Sequence, residues 1–469
     1  MEARIVSSQD VIVIGGGLAG LAASVALADA GLRVRLIEKA PRLGGRATTF
    51  LLPDGEAIDN CQHVTLRCCT NLEDFYRRIG ASGRIRYYDR LIFSGARGER
   101  TELRPSRLPA PLHLAPGFAT ARFLNWRDKL GIARALFSII RCAGKPVFAS
   151  PLSMLGWLKQ QRQTQQAIDR FWGIVLISAL NEDLDRMDAN YGIAVFWKAF
   201  LSNSGGFAVG IPAVPLTELY TVNNERIDVR TRCGVAELLI EEGRAVGVRM
   251  DDGSDVRADY CIAATTFDRL SRMLPSGLRT RKEFAELSRF EASPITSVHL
   301  WFDRPVMPEL FLTALDRTIQ WVFNKTKLSA AVDSAESGEY LQIVISASHA
   351  LSGKSQKEII DLCRRELAEL LPETSRVEPT RSIVIRENAA TFSPLPGCDQ
   401  WRPDQRTSIP NLFIAGDWTQ TGWPATMESA VRSGYLAAEG VLQQAGRKAR
   451  LVVPELPVSR LARWLSRGG

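Results

Sequence analysis

The stretch from residue 11 to residue 46 constrains the fold of this chain more than any other part of it. Residues 11–14 form an apolar, β-branched run that is typical of a buried parallel strand. Residues 15–20 read GGGLAG and satisfy the pattern G-x-G-x-x-G. Residues 18–30 are rich in alanine and leucine and end before a capping glycine, and residues 32–37 form a second apolar strand. This order predicts a βαβ unit.

The glycines of this turn have separate roles in binding a dinucleotide. Gly15 allows the tight turn, Gly17 lets the backbone approach a pyrophosphate, and Gly20 lets the helix pack closely on the strand. Leu18 and Ala19 begin the helix, whose free N–H groups and partial positive charge attract phosphates. Together they predict a Rossmann-like dinucleotide site.

The residues after the second strand favour FAD as that dinucleotide. Glu38 lies where an acid can accept hydrogen bonds from ribose hydroxyls, with Lys39 beside it. Gly44, Gly45 and Arg46 then follow within LGGR, which resembles the second glycine signature of the flavin-containing amine oxidase and carotenoid desaturase superfamily. The resemblance implies that these three residues wrap the pyrophosphate of FAD. For the tetrapeptide alone, a surface turn with a solvated arginine is the alternative.

Size and charge limit the classes of protein to consider. A chain of 469 residues is too long for one core, so two domains are expected. The net charge is +8, and residues 446–469 hold six basic residues against one acid, so most of the excess lies in this tail. Such a tail either contacts anionic lipid or is simply solvated. The rest of the chain is nearly neutral, which argues against nucleic acid as a partner.

The sequence shows no sign of a membrane span or a metal site. Two uncharged windows, residues 11–28 and 199–217, are interrupted by glycine or proline, and no secretory signal is apparent. The eight cysteines form no paired framework and no C-x-x-C motif, which suits a reduced cytoplasmic protein. We expect a cytoplasmic protein without metal, with peripheral contact on the inner face of a membrane as a further expectation.

A second passage narrows the resemblance from the superfamily to one family within it. Residues 59–64 read DNCQHV, which closely resembles the D-N-G-Q-H-V wording of the hydroxysqualene dehydroxylases, also called squalene-associated FAD-dependent desaturases. Cys61 replaces the usual glycine, and Arg67 stands where a glycine is also common. If the glycine takes a positive φ in the family, Cys61 would be locally strained.

Residues 105–207 change in character and read as mainly helical. Thirteen of the 37 aromatic residues of the chain fall within residues 118–207. They are interpreted either as the core of a helical cap domain or as an apolar tunnel or lipid-dipping face for a hydrophobic substrate, and both readings can hold together.

Two runs of short strands follow. Residues 227–230, 234–239, 245–250 and 261–264 resemble the β-meander inserted in flavoproteins of the superfamily, where Val235 matches a valine whose backbone meets the adenine. From 290 to 392, four further strands and an amphipathic helix at 357–371 read as a second cap segment. His299 lies within one of these strands and is interpreted as a packed or solvated strand histidine.

The last passage, residues 411–434, combines a strand ending in Gly-Asp with the start of a long helix. Its wording, GDWTQTGWPATMESAVRSG, is very close to that of the dehydroxylases. Free N–H groups at the helix start can face the flavin pyrimidine, where negative charge develops on reduction. The resemblance implies FAD contacts from Gly416, Asp417, Ala425, Thr426 and Met427.

These observations predict a discontinuous α/β flavoprotein: a Rossmann-like FAD-binding domain of the amine oxidase and desaturase type with an α+β cap. The FAD-binding domain is expected from residues 1–90, 208–268 and 390–445, and the cap from residues 91–207 and 269–389. No cysteine matches a covalent flavin attachment, so non-covalent FAD is expected. No second dinucleotide fingerprint is visible, so a stable NADPH site is not supported.

The resemblance implies removal of the hydroxyl of hydroxysqualene to give squalene, with an unidentified external reductant. His63 is the candidate acid, oriented by Asp59, although a structural role for His63 in its loop is an equal alternative. The other functions left open are a carotenoid or polyprenoid desaturase and a non-catalytic isoprenoid-binding protein; an amine oxidase is less favoured.

Overall fold

The computed structural model describes residues 10–95, 99–145, 148, 150–329 and 338–466. Within them lie twenty strands, β1 to β20 in chain order: Asp10–Ile14, Arg33–Ile37, Thr49–Leu51, Ala57–Asp59, Thr65–Leu66, Ile85–Tyr88, Leu91–Ser94, Arg100–Leu103, Val209–Pro212, Ile227–Arg230, Val235–Glu241, Arg244–Met250, Asp255–Arg257, Tyr260–Ala263, Ala292–Phe302, Phe311–Ala314, Trp321–Asn324, Glu339–Ser346, Arg381–Phe392 and Leu412–Ile414. The α-helices of the same residues, α1 to α15, are Leu18–Asp29, Thr70–Arg78, Ala115–Thr120, Trp126–Arg141, Met154–Gln160, Gln165–Ala167, Ile174–Leu180, Ala189–Val195, Leu216–Leu219, Phe267–Met273, Lys282–Ala285, Lys325–Leu328, Gln356–Leu370, Met427–Gln444 and Arg460–Ser466.

A five-stranded parallel sheet holds the two ends of the chain together. Its order is β10-β2-β1-β14-β20, with Val11 paired to Tyr260 and Cys261 paired to Leu412. β1 is buried almost throughout, as expected for a strand covered on both faces. α1 and α14 pack against each other, and a Cβ on Gly434 would lie 2.2 Å from the Ala19 carbonyl oxygen, so only glycine permits this approach.

The predicted meander is smaller than expected. β11, β12 and β13 form a three-stranded antiparallel sheet. The runs at 227–230 and 261–264, which were predicted as part of the meander, instead belong to the parallel sheet as β10 and β14. Short apolar strands look alike in either setting, because periodicity does not report which neighbour a strand will have.

A seven-stranded sheet, in the order β19-β15-β18-β17-β16-β7-β8, forms the second layer of the molecule. The amphipathic helix predicted at 357–371 is α13, and its apolar side, including Ile359, Cys363 and Leu367, packs against Val298, Leu341 and other residues of this sheet. The sheet also takes strands from residues 91–103, so it combines two distant stretches. The limits drawn between the domains stay predictions.

Many aromatic residues of the helical stretch form a core, whereas Trp126 and Phe137 are exposed. Trp157, Trp172 and Phe196 are buried, and the Trp172 and Phe196 rings meet edge to face with centroids 4.6 Å apart. Phe171 packs against both of the latter rings. The structure therefore supports the interpretation of these residues as the core of a helical cap.

Residues 451–466 of the basic C-terminal segment contact the rest of the protein, while the side chains of Arg447, Lys448, Arg450, Arg460 and Arg463 are exposed. The choice between lipid contact and a solvated tail therefore stays a prediction. The Val453 N–H donates to Asn71 Oδ1 at 2.8 Å, and Asn203 Nδ2 donates to the Pro457 carbonyl at 2.8 Å. Ala462 of α15 is fully buried. None of the helices in the described residues combines the length and the apolar composition that a membrane-spanning helix needs.

Candidate functional site

The two glycine motifs lie side by side after β1. The Gly44 N–H donates to the Gly16 carbonyl at 2.8 Å, and Gly17 and Gly44 form a parallel bridge. Gly15 and Gly44 adopt φ angles of +106° and +105°, a region that favours glycine. We call residues 15–20 and 44–46 the glycine cradle.

The cradle contains one glycine that the protein itself does not require. A Cβ on Gly20 would lie 1.9 Å from the Gly15 carbonyl oxygen, so Gly20 is fixed by the packing of α1 on the turn. A Cβ on Gly17 would meet nothing closer than Gly45 Cα at 3.9 Å, and Gly17 has an ordinary φ of −76°. Gly17 is the N-cap of α1 and has no side chain that could accept hydrogen bonds from the N–H groups of the first turn, which begins with Leu18 and Ala19. Open space and uncapped N–H groups at this point fit a pyrophosphate.

Glu38 lies at the edge of the cradle, as its position after β2 predicts. Its carboxylate accepts from the Gly16 N–H at 2.6 Å and from the Ala40 N–H at 2.7 Å. The start of the meander is beside it, because the Cys233 N–H donates to the Glu38 carbonyl at 3.0 Å and Val235 follows in β11. Glu38 and Val235 therefore lie near each other, where the resemblance expects the adenosine. The Lys39 side chain is exposed, and its Nζ lies 3.7 Å from Asp251, whose N–H donates to the carbonyl of Gly234 just before Val235.

The C-terminal motif reaches the cradle through an ion pair. Arg46 donates to Asp417 Oδ1 at 2.5 Å and to the Ala390 carbonyl at 2.9 Å. Burial opposes the charge on Arg46, but the neighbouring Asp417 carboxylate outweighs it, so the pKa of Arg46 is raised. Gly416, just before this aspartate, has a φ of +152° and lies against the Trp418 ring. Residues from both ends of the chain thus converge on one place.

The start of α14 is fixed to the same place. Thr426 is the N-cap and its hydroxyl accepts from the Ser429 N–H at 3.2 Å, while Ser429 Oγ donates to the Asp417 carbonyl at 3.1 Å. Ala425 is buried just before the cap, and Met427 is the first residue of the helix. The N-terminus of α14 is therefore held next to Asp417, as the flavin contact predicted from the resemblance requires.

Asp59 does not orient His63. Its carboxylate accepts from the Thr49 hydroxyl at 2.8 Å, from the Leu216 N–H at 3.0 Å and from Lys325 Nζ at 3.0 Å. Both carboxylate oxygens of Asp59 accept hydrogen bonds from these partners. Because Lys325 directly follows β17, the buried Asp59 connects β4 to the seven-stranded sheet. The prediction that Asp59 positions the histidine is wrong in this structure, because a cationic partner from the cap takes that place.

His63 is held by the backbone instead. Its Nδ1 lies 3.1 Å from the Cys61 carbonyl oxygen, which can only accept, so Nδ1 carries the hydrogen. Burial lowers the pKa of His63, and the imidazole is neutral at pH 7 with a lone pair at Nε2. Cys61 and Arg67 both have negative φ, so the strain expected at Cys61 is absent, and the Arg67 guanidinium stacks on the Tyr87 ring at 4.0 Å.

Several polar residues of the cap that sequence reasoning missed meet this passage. Lys325 Nζ donates to Gln62 Oε1 at 2.8 Å as well as to Asp59. Gln342 Nε2 donates to Ser297 Oγ at 3.0 Å and lies 3.4 Å from the Asp59 carbonyl. His299 lies 3.2 Å from Ser297 Oγ and 2.6 Å from the Tyr340 hydroxyl. We call these connected residues the junction cluster: Asp59, Gln62, Ser297, His299, Lys325, Tyr340 and Gln342.

Little in the sequence could have identified this cluster. His299 was predicted as a packed or solvated strand histidine, and it is packed: burial lowers its pKa to about 3. Lys325 directly follows a strand of the cap, and its only signal was a charged residue at the end of an apolar run. Its partners are distant in sequence, and no local pattern predicts such a pairing.

Comparisons with known proteins agree with this geometry. The family described as flavin containing amine oxidoreductase matches residues 18–442. A chloroplastic/chromoplastic 15-cis-phytoene desaturase of Capsicum annuum is 25% identical over 454 residues, covering 92% of this chain and 78% of the relative. A probable zeta-carotene desaturase of Synechococcus elongatus is 27% identical, covering 92% and 98% of the two chains. The solved structure of a putrescine oxidase bound to putrescine superposes with a TM-score of 0.69 at 18% identity over 93% of this chain and 99% of that one, which supports the fold.

Proposed function

This chain belongs to the flavin-containing amine oxidoreductase family, and from that premise we propose that it is an FAD-dependent oxidoreductase that converts hydroxysqualene to squalene. The observation that carries the proposal is the DNCQHV passage at residues 59–64, whose side chains lie between the cradle and the cap sheet. Non-covalent binding of FAD, an external reductant and a hydrophobic isoprenoid substrate are parts of the same proposal.

The residues near the cradle suit FAD. The turn at Gly17 leaves room for a pyrophosphate, Glu38 lies beside Val235 for the adenosine, and Asp417 with the N-terminus of α14 lies at the other end. Bound here in its reduced form, FAD would supply the hydride that the reaction needs. If the flavin is not covalently linked, acid precipitation of the protein releases it into the supernatant.

The chemistry balances with one proton donor and one hydride source. The hydroxyl of hydroxysqualene is allylic, so its protonation and departure as water leave a delocalised cation on carbon. Addition of the hydride to that carbon would give squalene. The net change is the addition of two electrons and two protons with loss of one water. The protein must therefore deliver a proton to the leaving oxygen and keep other water away from the cation.

We assign proton donation to His63. Its Nδ1 hydrogen is occupied by the Cys61 carbonyl, which leaves Nε2 as the nitrogen that takes up and delivers a proton. Because burial lowers the pKa of His63, its protonated form is a stronger acid than an ordinary imidazolium. The partly buried Lys325 and the buried Asp59 flank the passage as an ion pair and hold it against the cap.

The direct test is anaerobic incubation of the reduced enzyme with hydroxysqualene, followed by gas chromatography and mass spectrometry. Squalene is the expected product. His63→Ala should retain FAD and lose about 100-fold or more of the rate. His349→Ala, which removes a histidine bonded to Glu182 in the cap, is the matched control and should keep the rate. Full turnover by the His63 variant would remove this residue from the mechanism.

The pH dependence tests the same assignment. A proton donor is active only while protonated, so the rate should fall as pH rises through the pKa of His63, which lies below the ordinary value of about 6.5. A rate that rises with pH over that range would contradict the assignment.

The carotenoid desaturases among the relatives favour a second candidate, desaturation of a polyprenoid with the same cofactor running in the oxidative direction. Incubation of the oxidised enzyme with phytoene separates the two. New conjugated double bonds from phytoene, together with no squalene from hydroxysqualene, would favour the desaturase.

A further inference from the structure

Helix α4 has two apolar sides, and only one of them is covered. Ile132, Ala135 and Ile139 are fully buried in the core. Trp126, Leu130 and Phe137 lie in a row on the opposite side and are 69%, 66% and 47% exposed. A surface helix normally carries polar residues on the side that faces solvent. The outer row of α4 is therefore an apolar surface without a partner among the described residues.

Two neighbouring segments extend this surface. Helix α15 packs against α4, and its Trp464 is 72% exposed. The Ser459 hydroxyl donates to the Ala110 carbonyl at 2.5 Å, which places residues 107–112 beside the start of α15. Leu108 and Leu112 of that segment are both 45% exposed. We call residues 107–112, α4 and α15 together the outer face.

The charges of the outer face have one sign. Its single acid, Asp128, is buried and forms the capping box of α4 with Asn125. None of its basic residues pairs with a carboxylate within the described part of the chain. Arg127 stacks on the Trp126 ring at 5.4 Å. The seven basic residues are Arg107, Arg127, Lys129, Arg134, Arg141, Arg460 and Arg463.

We propose that the outer face docks on the surface of an anionic phospholipid bilayer. Exposed tryptophan, leucine and phenylalanine side chains can enter the boundary between headgroups and acyl chains, and the arginines beside them can bind lipid phosphates. Charge complementarity argues for this occupant, because a face with seven cations and no exposed carboxylate matches an anionic surface. The proposal rests on these residues and does not depend on the proposed reaction.

The main test is co-sedimentation of the flavin-loaded protein with vesicles. We expect binding to phosphatidylcholine vesicles that contain about 30% phosphatidylglycerol and much weaker binding to pure phosphatidylcholine. Raising the ionic strength from about 0.1 M to 1 M should release most of the protein, because the Debye length falls from roughly 10 Å to 3 Å. Equal binding to both kinds of vesicle would overturn the charge argument.

Charge reversal on α4 locates the surface. Arg127→Glu with Arg134→Glu should weaken binding by about 100-fold or more, since each basic residue near an anionic surface contributes roughly a five-fold factor. The matched control is Lys357→Glu with Arg365→Glu on α13, another exposed helix whose two cations make no ion pair in the described residues. Equal loss in the two double variants would overturn the assignment to the outer face.

Apolar substitutions separate insertion from simple charge attraction. Trp126→Ser with Phe137→Ser should weaken binding by on the order of ten-fold, whereas Leu51→Ser, which alters a 75% exposed leucine elsewhere, should not. Lipids brominated on the acyl chains should quench tryptophan fluorescence, and Trp126→Phe with Trp464→Phe should keep binding but lose most of the quenching. Absence of vesicle binding together with self-association through α4 would overturn the proposal and identify a protein as the occupant.

Discussion

The glycine cradle and the junction cluster are connected by residues 47–58, and they are built in opposite ways. The cradle consists of backbone atoms from two nearby stretches and keeps N–H groups at Gly17 and the start of α1 uncapped. The junction cluster consists of side chains that bond to one another, with Lys325 bonded to both Asp59 and Gln62, although Gln342 Oε1 has no hydrogen-bond partner among the described residues. The cradle is therefore a site for something outside the protein, whereas the cluster first of all joins two parts of it.

The largest expected effect concerns the junction ion pair. Asp59→Asn leaves the Lys325 ammonium in a mostly buried site without its carboxylate and should cost about 3 kcal/mol of stability. Lys325→Met added to Asp59→Asn should recover about 2 kcal/mol, because the unpaired charge is gone. Urea unfolding followed by tryptophan fluorescence measures both. If the double variant is instead less stable than Asp59→Asn alone, the Asp59–Lys325 ion pair does not couple β4 to the seven-stranded sheet.

The next largest effect is expected at the glycine cradle, where one glycine should be needed for FAD binding and another for the stability of the protein. Gly17→Ala should leave the apo-protein within about 0.5 kcal/mol of wild type, since a Cβ there has 3.9 Å of clearance, yet lower FAD affinity by about 100-fold. Gly20→Ala should destabilise the apo-protein itself. Gly83→Ala, where a Cβ meets nothing within 4 Å, is the control. Thermal unfolding of the apo-protein and flavin titration measure the two effects, and wild-type FAD affinity in Gly17→Ala would contradict the site.

A third prediction uses acid to probe the cluster. Burial lowers the pKa of His299 to about 3 from an ordinary value near 6.5, so the unfolded state binds the proton first. Stability from this residue is complete above pH 6.5 and is lost as the pH falls, by on the order of 2 kcal/mol at pH 5. His299→Gln should flatten this decline in urea unfolding. An unchanged decline in that variant, alongside the His349→Gln control, would contradict the assignment.

The smallest effect compares two helix caps. Thr426→Ala at α14 and Ser355→Ala at α13 each remove an accepted N–H bond and should each cost about 1 kcal/mol. Only Thr426→Ala should also weaken FAD binding, by a few-fold, because α14 begins next to Asp417. Equal flavin affinity in the two variants would contradict the prediction that the start of α14 contacts the cofactor.

Local patterns in the sequence were sufficient for much of the fold. The first strand, α1, the second strand and the amphipathic helix at 357–371 were predicted within one or two residues of β1, α1, β2 and α13, because apolar periodicity and capping glycines are local signals. The assignment of 227–230 and 261–264 to the meander was wrong, since strand neighbours are set by long-range pairing.

By itself, the sequence determined the backbone-built part of this protein: the glycines that allow a tight turn beside Glu38 follow from conformational freedom and spacing alone. Only the tertiary structure decided that Asp59 pairs with Lys325 rather than with His63, and that α4 presents a second, uncovered apolar side. Both depend on which distant surfaces meet and which stay in solvent, and neither is encoded by the residues next to them in the chain.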